Sequence, residues 1–129
     1  MIKVLFAILL LFFSSESLST TCFGEEQPSQ LSKKYEKSVK FDFFEDNQEV
    51  DVRISAPNSI EGLDFTSATL VKGNPENLDF DFMFFPSAEH SGDQIIIYYM
   101  VKKNLLRENT LQLKYGPGCG KILQYSVST

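Results

Sequence analysis

The chain has 129 residues, with 12 Lys and Arg against 17 Asp and Glu, and a formal net charge of −5. That balance gives no electrostatic basis for binding nucleic acid, and no polybasic segment is present to hold anionic lipid. Hydrophobic residues make up 43% of the chain, enough for one compact core.

The N-terminus reads as an export signal. Lys3 precedes ten apolar residues, Val4–Phe13, and small polar residues follow (Ser14, Ser15, Ser17, Ser19). The apolar run is too short for a bilayer-spanning helix, which needs about 20 residues. Cleavage after Ser19 keeps Cys22, and cleavage after Gly24 removes it; both satisfy the small-residue rule. Residues 1–19 are therefore assigned to the signal, with 24 as the alternative end, and the rest to an exported domain, periplasmic or secreted. Lipidation of Cys22 would anchor that domain to a membrane, but Leu18 and Thr21 do not match the usual spacing.

Glu25–Lys37 is rich in Glu, Gln, Ser and Lys, with Pro28, so 20–37 reads as a flexible lead-in, the alternative being one helical turn in Gln30–Lys37. The domain proper is placed at 38–129. Val39, Phe41 and Phe43 alternate with Lys40 and Asp42, the period of a half-buried strand. After the polar turn Glu45–Gln48, Val50, Val52 and Ile54 alternate in the same way. Pro57-Asn58 ends that strand, 60–65 reads as an irregular crossing, and 67–72 as a short strand. Gly73-Asn74-Pro75 marks a turn. Leu78, Phe80, Phe82 and Phe84 then alternate with Asp79 and Asp81, stopped by Pro86. The stretch 87–93 reads as a polar loop.

Ile95–Val101 is the longest apolar run after the N-terminus, and all of it except Met100 is β-branched or aromatic, as in a strand buried on both faces. Lys102–Asn109 reads as a turn. Leu111, Leu113 and Tyr115 form the next alternating strand, Gly116–Gly120 a tight turn, and Leu123, Tyr125 and Val127 the last strand. About seven short strands with turn signals between them predict an all-β, antiparallel, immunoglobulin-like sandwich.

Three places invite a functional reading. Cys119 sits in Gly-Pro-Gly-Cys-Gly with Lys121 nearby to favour a thiolate, so it is either a thiol for disulfide exchange or half of a bridge with Cys22. The second is an apolar surplus. A sandwich buries one face of each sheet, yet Ile95–Val101 is apolar on both, and Met83 and Phe85 lie on the otherwise acidic side of their strand. If those strands are neighbours, Met83, Phe85, Ile96, Tyr98 and Met100 form an exposed patch of the kind that binds a partner protein. The third is His90, the only histidine, which reads as a solvated loop residue. The acidic clusters do not match a calcium-loop register.

The export signal, the alternating first strand, the Leu-x-Leu-x-Tyr strand (Leu111, Leu113, Tyr115) and Cys119 after it together give a layout that resembles the immunoglobulin-like N-terminal domain of the periplasmic thiol–disulfide reductase DsbD. The resemblance implies the sandwich fold and a role beside a periplasmic partner. That family has a second cysteine in this region, and Tyr125 stands near its place here.

With one His, no activated Ser motif and no spaced Cys/His set, no catalytic residues, metal or cofactor are predicted. The leading expectation is a non-enzymatic exported sandwich that binds another protein. The alternative is a thiol–disulfide exchange accessory acting through Cys119.

Overall fold

The computed structural model describes residues 27–127. The expected export signal, its two candidate cleavage sites and Cys22 lie outside the described residues. Among those described, no helix is long and apolar enough to cross a membrane.

The fold is an all-β sandwich of two antiparallel sheets. The first contains β1 (Lys40–Asp46), β2 (Glu49–Pro57), β6 (Ser87–Ser91) and β7 (Gln94–Lys102), in the order β1-β2-β7-β6. The second contains β3 (Ser59–Ile60), β4 (Leu63–Asn74), β5 (Asn77–Phe84), β8 (Asn109–Tyr115) and β9 (Lys121–Ser126). Its order is β3-β4-β8-β9, and β5 pairs with the C-terminal end of β4. Leu70 and Val71 pair with β8 and with β5 at once, so those two strands flank β4 on opposite edges.

The period-2 alternation translates into a shared core. Val50, Val52, Ile54 and Ala56 on β2 and Ile95, Ile97 and Tyr99 on β7 face Ala68 and Leu70 on β4, Leu111, Leu113 and Tyr115 on β8, and Leu123 on β9. Tyr115 joins the sheets by more than contact. Its ring lies edge-on to Phe65, and its hydroxyl donates to the Pro57 carbonyl at 2.8 Å. Burial pushes the Tyr115 phenol well above its usual range, so it remains a donor.

The described residues form nine strands rather than about seven, and the additions have physical causes. The crossing at 60–65 is split: Ser59–Ile60 forms a two-residue strand, and Leu63–Phe65 belongs to the twelve-residue β4. Glu61 and Gly62, both with positive φ, make the turn between them. The expected polar loop at 87–93 is largely β6. It has no apolar alternation because it is an exposed edge strand, recruited by the backbone of β7 through the pairs Ala88–Ile97 and His90–Ile95. The expected turn after β7 is a 3₁₀ helix, Lys103–Glu108, which buries Leu106.

The lead-in differs most from expectation. In its described part Pro28–Lys34 forms the helix α1, followed by a 3₁₀ turn at Glu36–Ser38. Pro28 occupies the first turn, where its missing N–H costs nothing, and Lys33 and Lys34 sit at the C-terminal end of the helix dipole. Leu31 enters the core, and Ser32 caps the edge of β9: its Oγ accepts the Gln124 backbone N–H at 2.7 Å, and its carbonyl accepts the Tyr125 hydroxyl at 2.8 Å. Burial and then the charge of Glu36 push the Tyr125 phenol up to about 12.

Glu61 pins this end of the molecule. Its carboxylate accepts from Lys34 of α1 at 2.6 Å and from Lys121 of β9 at 3.2 Å. The Lys34 and Lys121 ammonium groups hold the Glu61 carboxyl down at about 2, against 4.5 when unperturbed. A depressed carboxyl stabilises the fold above its unfolded value and loses that contribution as pH falls through the folded one. Unfolding followed by circular dichroism at stepped pH should therefore show wild type losing stability between pH 4.5 and about 2 more steeply than Glu61→Gln. Parallel curves would show that the clamp is screened out in solution.

Candidate functional site

The two long edges of the sandwich are finished differently. At one, α1 covers β9, and Tyr125 meets Phe41 of β1 at 6.3 Å. At the other lie β5 of one sheet and β6 of the other, joined through Phe85 and Pro86, and nothing described covers them.

β5 is exposed along its whole length, with only Leu78 half-buried. The reason is its register with β4. Leu70 pairs with Phe84 and Val71 with Met83, but the next residue, Lys72, pairs with Asp79. Phe80, Asp81 and Phe82 are thereby expelled from the ladder as a bulge. The Asp81 N–H, which has no partner on β4, donates to Asp79 Oδ1 at 3.2 Å. Phe82 is 62% exposed, and Lys72 Nζ sits 5.0 Å above its ring.

Register also fixes which way the side chains point. Phe84 lies opposite the buried Leu70 and so faces inward, yet it stays half-exposed. It meets the Tyr99 ring edge-on at 6.2 Å. Beside this contact the sheets part into a groove of about 380 Å³. Leu70, Phe84, Tyr99, Val101 and Leu105 form its walls, and Lys72, Met83, Met100 and Glu108 stand among its other lining residues. Its size and apolar lining are those of a site for a small molecule or an inserted side chain.

Tyr99 is the unusual member. It is only 8% exposed, and its hydroxyl is the one buried side-chain polar atom among the described residues that lacks a hydrogen-bond partner. Burial raises its phenol well above the usual value, so it is a donor at any physiological pH. A buried hydroxyl without a partner costs about 1–3 kcal/mol.

A second apolar surface adjoins the groove through Tyr99 and Met100. It lies on the outer face of the first sheet, where Phe44, Asp51 and Met100 are successive partners across β1, β2 and β7. Arg53 stacks on Tyr98 there at 5.8 Å.

The residues expected to form one patch are distributed as follows. Met83 and Met100 lie on different sheets, so their strands are not neighbours, but both line the groove. Phe85, 66% exposed, follows β5. Tyr98 is partly exposed, and its hydroxyl donates to Glu89 at 3.1 Å. Ile96 is a correction: at 5% exposure it is not available to a partner. Glu89 lies directly opposite Ile96, so the Tyr98–Glu89 hydrogen bond draws Tyr98 diagonally toward it.

The bulge corrects the expected placement of Phe80 and Phe82 on the core side of a regular strand, while Phe84 keeps that side and is nonetheless half-exposed. Aspartates between phenylalanines and a Pro two residues after the strand were the available signal of an edge. Phe44, Leu105 and Tyr99 carried no such signal.

Cys119 is exposed in the β8–β9 turn and is not a free thiol. Gly120 beside it adopts φ +57°, and a Cβ there would lie 2.3 Å from the Tyr115 carbonyl, so the turn requires glycine. Lys121, expected to favour a thiolate, is engaged by Glu61. His90 is exposed on β6 opposite Ile95.

No protein-family model matches the chain, and comparison with curated proteins and with solved structures gives no significant match.

Tyr99→Phe should raise the unfolding free energy by about 1 kcal/mol, because it deletes a buried polar group that makes no bond. Urea titration followed by fluorescence measures this. Destabilisation of similar size would mean that the hydroxyl is bonded in solution.

Proposed function

We propose that the chain is an exported β-sandwich that binds another protein through the β5 edge and the groove beneath it. The observation that carries this reading is the exposed row Phe82, Met83 and Phe84 at the end of one edge strand, with Phe85 just after it and Met100 at 60% exposure across the groove. Burying aromatic and methionine side chains releases roughly 1.5–3 kcal/mol each, so leaving this many in water favours a partner that covers them. The N-terminal signal pattern and the likeness in layout to the DsbD N-terminal domain support an exported setting.

Capture from the exported fraction of the native host tests the reading. Phe82→Ser with Phe84→Ser should reduce recovery of the specific partner at least tenfold, while Gln112→Ser, on the other sheet surface, should leave it unchanged. Equal recovery by all variants would sink the β5 edge as the binding surface.

The same reading assigns a bridge between Cys22 and Cys119, the only two cysteines in the sequence. It would tie the segment before α1 to the β8–β9 turn and requires cleavage after Ser19 rather than Gly24. The expected intact mass is that of a chain starting at Thr20 and lacking two hydrogens, with no alkylation until a reductant is added. A Cys119 that alkylates without reduction would exclude the bridge and favour disulfide exchange, and a lipid mass on Cys22 would favour anchoring.

A further inference from the structure

The chemistry around the groove says what kind of partner segment it suits, an inference that rests on the binding role proposed above. The β4–β5 hairpin carries Glu76, Asp79 and Asp81, all exposed, and Glu108 lines the groove from the 3₁₀ helix. Lys72, the cation among the lining residues, is held over the Phe82 ring. The chain as a whole carries −5. With Glu108 in its lining and three more carboxylates exposed on the adjoining hairpin, the apolar groove favours a cationic segment over an acidic one.

The same features argue against a second copy of this chain. Two β5 strands meeting edge to edge would bring Asp79 and Asp81 of one copy close to those of the other, and like charges across a strand pair are unfavourable. The bulge at Phe80–Phe82 also breaks the flat edge that self-pairing requires. Bulge and charge together make β5 a poor template for itself while leaving its aromatic side chains available.

We propose that the groove receives an apolar anchor residue of a partner protein's extended, basic segment. Lysine or arginine residues on either side of the anchor meet Asp79, Asp81 and Glu108.

The test uses the full exported chain, ¹⁵N-labelled and oxidised, and two blocked synthetic heptapeptides. One alternates lysine with leucine and phenylalanine, and the other replaces every lysine with glutamate. The basic peptide should give saturable amide shifts at Leu70, Phe84, Tyr99 and Leu105, with affinity falling as salt is raised. The acidic peptide should bind at least tenfold more weakly. Asp79→Lys with Asp81→Lys should reverse that ranking.

Absence of groove shifts with the basic peptide, or equal affinity for both peptides, would overturn the proposal. A concentration-dependent dimer in sedimentation that Phe82→Ser abolishes would overturn it in favour of a second copy. If the peptides fail but Phe82→Ser with Phe84→Ser still loses the native partner, the basic segment is wrong and the β5 edge stands. If the partner is retained as well, both readings fall.

Discussion

An edge strand presents backbone N–H and C=O groups that its sheet leaves unpaired, and each must meet a side chain, another element or water. The shape of this molecule follows from how that requirement is met at its two edges. On one, Ser32 satisfies the Gln124 N–H and holds the Tyr125 hydroxyl, with Leu31 anchored in the core beneath. On the other, β5 solves the problem locally, by a bulge, by aspartates and by an Asx contact from Asp79 to the Asp81 N–H. The first solution buries surface. The second leaves surface exposed while protecting it from indiscriminate pairing.

The closed edge also supplies the rigidity from which the open one can work. α1, the β3–β4 turn and β9 converge on Glu61, which receives both Lys34 and Lys121, while Tyr115 spans the sheets to Pro57. Among the described residues, the open edge has no comparable ties between the sheets. Its main link across the sheets is the Phe84–Tyr99 ring contact, beside a hydroxyl with no partner. Local stability and unspent contact capacity are thus distributed unequally between the edges, the pattern expected when a scaffold holds a recognition surface.

Much of the fold was legible in the residues because period-2 alternation is a local property. Val50, Val52 and Ile54, or Leu111, Leu113 and Tyr115, face inward wherever their strands sit in the sandwich. β6 was not legible, since an edge strand exposed on both faces has no alternation to show and is defined by the partner it joins. α1 was legible only as an alternative, one helical turn in a polar segment, because its place depends on Leu31 and Ser32 meeting the core and β9. In the candidate site, Met83, Phe85 and Met100 could be picked out because they were apolar where a strand face should have been polar. Ile96 met the same criterion and is nonetheless buried.

By itself, then, the sequence determined the fold class, the inward-facing core positions and the presence of more apolar surface than two sheets could bury, because each depends on residue type and spacing alone. Tertiary structure decided which part of that surplus stays in water. The pairing of Lys72 with Asp79 rather than with a residue next to Met83 expels Phe80–Phe82, the separation of β5 and β7 into different sheets makes a groove instead of a flat patch, and burial strands the Tyr99 hydroxyl. Register and sheet membership are relations between distant segments, and no local pattern in this chain encodes them.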